Sequence, residues 1–239
     1  EMPESVNRDV LFTVNDNVAF VQLNRPDRRN AVNGDVVSAM SWICQTVDAD
    51  VNIRVVVLTL SHPGMFCAGA DLSEIAKGRG AALANDYGGF GGFVRAPREK
   101  PWIAAVDGPA MGGGFEFALA CDIIVASATA QFGLPEVKRG LFAAAGGVFR
   151  LPHALPRVIA NELIVTGDPM TADRALAYGM VNEVVSPDAL IGSAMTLAQR
   201  IAENAPISVR ESLKLARASM DSNEDALWQA SNNAAMRVM

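Results

Sequence analysis

The sequence predicts an α/β fold that gives way to a helical C-terminal part, on three observations. Continuous apolar runs such as Val55-Val56-Val57-Leu58 have the character of strands buried on both faces. Helical patterns alternate with those runs as far as about residue 150. Beyond Gly140 the strand signals thin out, and Pro152, Pro156, Pro169, Pro187 and Pro206 punctuate a succession of helical segments.

The first elements read as a hairpin: residues 9–14 and 18–23 are strands, joined by Asn15-Asp16-Asn17. Residues 33–49 carry Val36, Val37, Met40, Ile43, Cys44 and Val47 at helical spacing. Strand 55–58 follows, and strand 103–106, helix 113–120 and strand 123–127 repeat the alternation. The Gly-rich piece 87–93 reads as a mobile loop. Later helices are expected over 157–165, 172–177, 187–203 and 206–220, with Thr171 and Ser186 placed as caps. Only 181–185 is strand-like there. The chain thus divides into an α/β core over residues 1–150 and a helical region over 151–239, with no internal repeat.

Composition narrows the function. Half of the 239 residues are hydrophobic and 19% are charged, with a mean hydropathy of +0.19, which excludes a disordered chain. That much apolar surface suits a chain that also faces another subunit. Cys44, Cys67 and Cys121 form no CxxC pair and the two histidines no HExxH pattern, so neither a zinc site nor a disulfide framework is expected. Sparse cysteine fits a reducing compartment. A net charge of −6 argues against nucleic-acid binding. It leaves room for a phosphorylated small molecule held by backbone amides and a few local cations. Glu1, Glu4, Arg8 and Asp9 interrupt any leader-like run, and charges break the apolar region 102–149. A cytoplasmic protein without membrane contact is the expectation.

Two segments look chemical. Met65-Phe66-Cys67-Ala68-Gly69-Ala70-Asp71-Leu72 lies between a buried strand and a helix, where small residues let a ligand approach the backbone. It reads equally as a tight strand-to-helix turn. The second, Asp107 to Glu116, places Gly112, Gly113 and Gly114 at a helix start, leaving several N–H groups accessible to an anion. Neither GxxxxGK[ST] nor GxGxxG is present, which disfavours nucleotide binding of those kinds.

Glu116 is the sharper clue, a carboxylate between Phe115 and Phe117 that must be paired, protonated or useful. A structural salt bridge and a working carboxylate both fit. Glu136 precedes Lys138 and Arg139 and reads locally as part of a surface ion pair. His62 and His153 lie in polar or proline-flanked surroundings and read as solvated or packing residues. Arg25, Arg28 and Arg29 form a basic loop cluster with Asp27, solvated or in contact with a phosphate.

The motifs then align in order: Leu23-Asn24-Arg25-Pro26 with Asn30-Ala31; Phe66 to Leu72; Gly112 to Asp122; Phe132-Gly133-Leu134-Pro135-Glu136; and Gly146-Gly147. Segments 163–167 and 175–181 complete the run. Together they resemble the crotonase (enoyl-CoA hydratase/isomerase) family over nearly the whole chain. The resemblance implies a spiral of ββα units with a helical C-terminal trimerisation region, assembled as a homotrimer or a dimer of trimers. It implies an acyl-CoA substrate, no metal, and no cofactor beyond the coenzyme A the substrate carries. The N–H groups of Ala70 and Gly113 would form an oxyanion hole, a stabilisation of roughly 3–4 kcal/mol per donor. Substrate contacts would come from Arg28, Ala68, Gly69, Asp71, Leu72 and Gly112, with Ala68 beside the adenine. Glu116 would help activate water for attack at C3 and Glu136 would protonate C2, the arrangement of an enoyl-CoA hydratase.

Some features depart from the family pattern. Asp27 and Ser73 stand where lysines are expected near the coenzyme A phosphates, and Arg28 or Arg29 would have to substitute. The chain stops at Met239, short of the family's usual end, so a missing final segment is expected. The wording around Glu116 and Glu136 resembles the carnitinyl-CoA dehydratase-like branch. A double-bond isomerase and a hydroxyacyl-CoA dehydratase are therefore rival reactions. RNA-binding and non-catalytic acyl-CoA-binding relatives are the non-enzymatic alternatives, the former disfavoured by the absence of Lys and Arg from helix 33–49.

Overall fold

The structure, a computed structural model, describes residues 8–238. Strands β1 (Val10–Asn15) and β2 (Val18–Leu23) form the expected hairpin, one residue later at each end of β1. Asp16 and Asn17 turn it with positive φ, which their short polar side chains tolerate. Helix α1 (Gly34–Ala49) is capped by Asn33, whose side chain accepts the Val36 N–H at 2.9 Å. Strand β3 (Val55–Leu60) and helix α2 (Leu72–Ala76) come next, then the short pair β4 (Ala84–Asn85) and β5 (Gly89–Phe90).

The pattern repeats with β6 (Trp102–Val106), β7 (Pro109–Met111) and α3 (Gly113–Ala120). It repeats again with β8 (Ile123–Ser127), β9 (Gln131–Gly133) and a 3-10 turn, Pro135–Arg139. Helices α4 (Gly147–Ala154) and α5 (Arg157–Thr166) lead to β10 (Met170–Thr171), α6 (Ala172–Ala177) and β11 (Glu183–Val185). Helices α7 (Leu190–Ala202), α8 (Pro206–Ala218) and α9 (Glu224–Val238) follow.

The main sheet runs β1-β2-β3-β6-β8-β11, parallel except for the hairpin. After each inner strand the chain drops into a second layer before it turns helical. There Val32 bridges Ala70, Cys67 bridges Ala110, and β7 pairs with β9, all in parallel. This is a spiral of ββα turns. The inner strands are apolar because both faces are covered, except for Thr59 and Ser127, whose buried hydroxyls donate to Ala105 O at 2.8 Å and Asp107 Oδ1 at 2.6 Å. Val55, Val57, Ile103, Ala105 and Val125 point toward α7, while Val56, Leu58, Ala104 and Ala126 belong to the opposite core with α1 and α3. Helix α7 meets the sheet through Leu190, Ala194, Ala198 and Ala202, a ridge of small residues four apart that permits close approach.

Some expectations change. Helix 187–203 divides into a 3-10 turn, Pro187–Ala189, and α7, and Ser186 occupies the cap position without a side-chain cap bond. Thr171 does cap α6, accepting from Arg174 N–H at 3.3 Å. Strand 181–185 shortens to β11, with Val181 buried in the core. The glycines of 87–93 mark close packing. A Cβ at Gly91 would lie 2.2 Å from the Phe117 ring, and one at Gly92 would lie 2.3 Å from the Val37 carbonyl.

Candidate active site

The second layer delivers the site. Cys67 stands opposite Ala110, so Ala70 and Gly113 each lie three residues further along neighbouring segments. Amide accounting then singles them out. Cys67 N–H donates to Pro109 O, Ala68 N–H to Arg29 O at 3.0 Å, Gly69 N–H to Cys67 Sγ, and Asp71 N–H to Val32 O at 2.9 Å. Among the described residues nothing accepts from Ala70 N–H. Gly112 N–H donates to Gly133 O, whereas Gly113, in the first turn of α3, has no acceptor within the helix and none in the surrounding loops.

Glycines keep these two amides open. Gly69 has φ +89°, and a Cβ there would lie 3.0 Å from Gly113 N and from Met111 O. A Cβ at Gly114 would collide with the Cys67 carbonyl at 2.2 Å, and one at Gly113 with the Phe90 ring at 2.3 Å. The three-glycine run thus serves close approach between the Phe66–Asp71 loop, α3 and Phe90, besides exposing amides.

Glu116 is buried, and its Oε1 accepts the Gly147 N–H at 2.9 Å. Burial, reinforced by the nearby Glu136 charge, pushes its carboxyl up to about 7, while the Gly147 and Ala145 amides and the Arg150 charge pull the other way. No cation lies within ion-pair distance of it among the described residues, so the structural salt bridge is not found. Glu136 sits on the 3-10 turn with Oε1 over Gly112, where a Cβ would lie 3.0 Å away. Its Oε2 is buried with no hydrogen-bond partner, and burial raises its pKa. Lys138 pairs instead with Asp168 at 2.6 Å, which corrects the surface-pair reading of Glu136.

Both glutamates, Ala70 and Gly113 line one cleft of about 640 Å³. Ala68, Gly69, Leu72, Gly112 and Arg28 also line it, as do Phe90, Phe142 and Ala145. Asp71 does too, but its carboxylate is committed: Oδ1 accepts from Ser73 N–H at 3.0 Å and Oγ at 2.6 Å, and Oδ2 meets Arg25 at 3.1 Å. Burial works against that charge, yet Ser73 and Arg25 hold the carboxyl below its ordinary range. The basic cluster therefore separates. Arg25 braces the loop from within, bound to Asp9, Asp71 and the Ala31 carbonyl, while Arg28 and Arg29 stand at the cleft with Arg139, Asp27 and Ser73. Asn30 assists the brace, donating to Met65 O at 2.9 Å. Sequence reasoning missed the Ala145 and Gly147 amides and Arg150, for which Gly146-Gly147 is the only signal. Among the described residues no three His, Cys, Asp or Glu side chains are placed to hold a metal, and no helix is long and apolar enough to cross a membrane.

A spiral of ββα turns with two open amides, a buried glutamate and a half-buried one in one cleft defines a class, and comparison with known proteins agrees. Residues 13–237 match the enoyl-CoA hydratase/isomerase family model, and the chain belongs to that family. Among curated relatives, the carnitinyl-CoA dehydratase of Salmonella arizonae is 38% identical over 217 residues, 90% of this chain and 83% of that protein. The crystal structure of an enoyl-CoA hydratase from Mycobacterium marinum superposes with a TM-score of 0.92 at 38% identity, covering 97% of this chain and 90% of the other. A carnitinyl-CoA hydratase from Mycobacterium avium gives 0.85 at 42% identity, covering 96% and 90%. The spiral is the crotonase fold.

Proposed function

We propose that the chain is an enoyl-CoA hydratase-type lyase that adds water reversibly to a 2-enoyl-CoA thioester. The observation that carries this reading is the meeting of two unclaimed amides and two glutamates, both raised mainly by burial, in one cleft. The thioester oxygen accepts from Ala70 and Gly113 N–H, so charge developing there meets fixed donors. Water held between the glutamates attacks C3 as Glu116 takes one of its hydrogens. The C2=C3 electron pair moves toward the thioester, and C2 then takes the proton of Glu136. The C3–O, C2–H and Glu116 O–H bonds form as a water O–H bond, the C2=C3 π bond and the Glu136 O–H bond break.

The role assignment is the one the family resemblance implies, and hydrogen bonding supports it although burial raises Glu116 as well as Glu136. Two amides point at Glu116 and favour its carboxylate, whereas the unpartnered Oε2 of Glu136 suits a carboxyl that keeps its proton. Arg28 and Arg29 at the cleft would meet the coenzyme A phosphates in place of the expected lysines. We also take the chain as a homotrimer or dimer of trimers, in support of which Phe149, Val158, Val165 and Trp228 are exposed.

The test is crotonyl-CoA hydration, followed by loss of the enoyl thioester's ultraviolet absorbance. Glu116→Gln and Glu136→Gln should each lower turnover roughly 10²-fold or more. Wild-type turnover in both variants would refute the two-glutamate mechanism. The carnitinyl-CoA dehydratase relatives favour a second reading, the same chemistry run as dehydration of a 3-hydroxyacyl-CoA. Product analysis in H₂¹⁸O separates both from a double-bond isomerase, which incorporates no label.

A further inference from the structure

Arg150 is absent from the cleft lining, yet it is built into the mounting of Glu116. It lies one turn into α4, and its guanidinium doubles back over the helix start. A Cβ at Gly146 would lie 3.0 Å from one terminal nitrogen and 3.3 Å from Cζ. The residue after Gly146 is Gly147, whose N–H holds Glu116 Oε1. The other terminal nitrogen of Arg150 donates to Val94 O at 2.6 Å, which fixes the guanidinium from the far side. Among the described residues the first nitrogen, buried, has no hydrogen-bond partner, and no carboxylate lies within ion-pair distance of this arginine.

We propose that Arg150 is a positioning residue for Glu116, clamping the Gly146-Gly147 turn that holds the carboxylate and setting a half-buried positive charge behind it. This rests on Glu116 being the base of the reading above.

Glu116 faces Glu136 from the 3-10 turn and Arg150 from α4; Asp27, Arg28, Arg29, Arg139 and Asp71, the last bound to Arg25 and Ser73, line the same cleft, and Arg150 lines a second cleft with His153, Asp122, Arg217 and Asp221. Arg150 in turn faces Arg98 and Cys121, and burial pushes the Cys121 thiol up to about 12, so it stays neutral. Of the charged groups acting on Arg150, Glu116 is therefore the anion. Burial and Glu136 both oppose ionisation of Glu116, and Arg150 acts against them.

Arg150→Gln keeps a donor for Val94 O and removes the charge; Arg150→Lys keeps the charge. The acid limb of the kcat/KM pH profile should move alkaline by about half a pH unit or more in Arg150→Gln and stay near wild type in Arg150→Lys. A second readout needs no turnover: the ¹³C carboxyl titration of Glu116, assigned with Glu116→Gln, should shift in the same direction and order. If the two variants titrate alike, the proposal is overturned, even with activity reduced. Inactivity of the wild type toward every enoyl-CoA, with the carboxyl titration still displaced in Arg150→Gln, would refute the hydratase reading and leave this one standing.

Discussion

Gly69 and Gly113, 44 positions apart in sequence, approach so closely that a single methyl on Gly69 would lie 3.0 Å from the Gly113 amide nitrogen. Gly69→Ala therefore carries two penalties: a side chain at φ +89° and an obstruction beside an open donor. Hydration kcat/KM should fall about 10²-fold, the loss typical of removing one oxyanion donor. Thermal melting should show a folded protein of reduced Tm. Unchanged kcat/KM would mean that the Gly113 amide is not used.

Glu116 sets a pH dependence with a definite sign. In the proposed role of ionised base it requires pH above its pKa, so kcat/KM should decline as pH falls through about 7.

Stability runs the opposite way. The carboxyl is raised in the fold, mainly by burial, so its stabilising contribution is complete below the unfolded value of 4.5 and lost as pH rises through about 7. Urea titrations of the wild type and Glu116→Gln at pH 5 and pH 8 measure this. The variant should gain stability relative to wild type at pH 8, and an equal difference at both pH values would contradict the assignment.

Arg25 joins Asp9 to Asp71 with side chains only 13%, 10% and 7% exposed, respectively. Arg25→Met removes the cation that two nearly buried carboxylates share, leaving Asp9 to Arg8 at 3.6 Å and Asp71 to Ser73, and should cost about 3 kcal/mol in urea unfolding. Because the brace reaches the loop that carries Ala70, kcat should fall as well. A loss below about 0.5 kcal/mol would show the ion pairs to be dispensable.

The α7 ridge offers a core test remote from the cleft. Ala198→Leu inserts a branched side chain between α7 and Val55, Val57 and Ile103 and should destabilise by about 1–3 kcal/mol. Crotonyl-CoA turnover by the folded fraction should be retained. Wild-type stability would mean that the helix stands further from the sheet than the packing indicates.

The strands were legible where burial on two sides leaves an unbroken apolar run, as in residues 55–58, although the partner covering one side, α7, lies more than 130 residues away. Helix α1 was legible because its apolar stripe and Asn33 cap are local. Glu116 stood out by its apolar neighbours. Glu136 did not, since Lys138 and Arg139 offered nearby partners while Asp168, which takes Lys138, is 30 residues distant. The glycines of 87–93 misled for a related reason. Alone, glycine signals freedom, and here it signals the crowding of Phe117 and Val37. Arg150 was invisible because its meaning depends on a turn that only the fold brings to Glu116.

Ala70 and Gly113 are displayed by main chain, in register on adjoining turns of the spiral. Their placement is set by the backbone of the second layer rather than by the length of any side chain. The glutamates are attached differently, one on a helix and one on a 3-10 turn, as exchangeable fittings. The architecture thus couples a rigid socket for a polarised carbonyl to a replaceable set of proton-handling groups. New reactions on this scaffold can be sought by changing Glu116 and Glu136 while the socket is left alone.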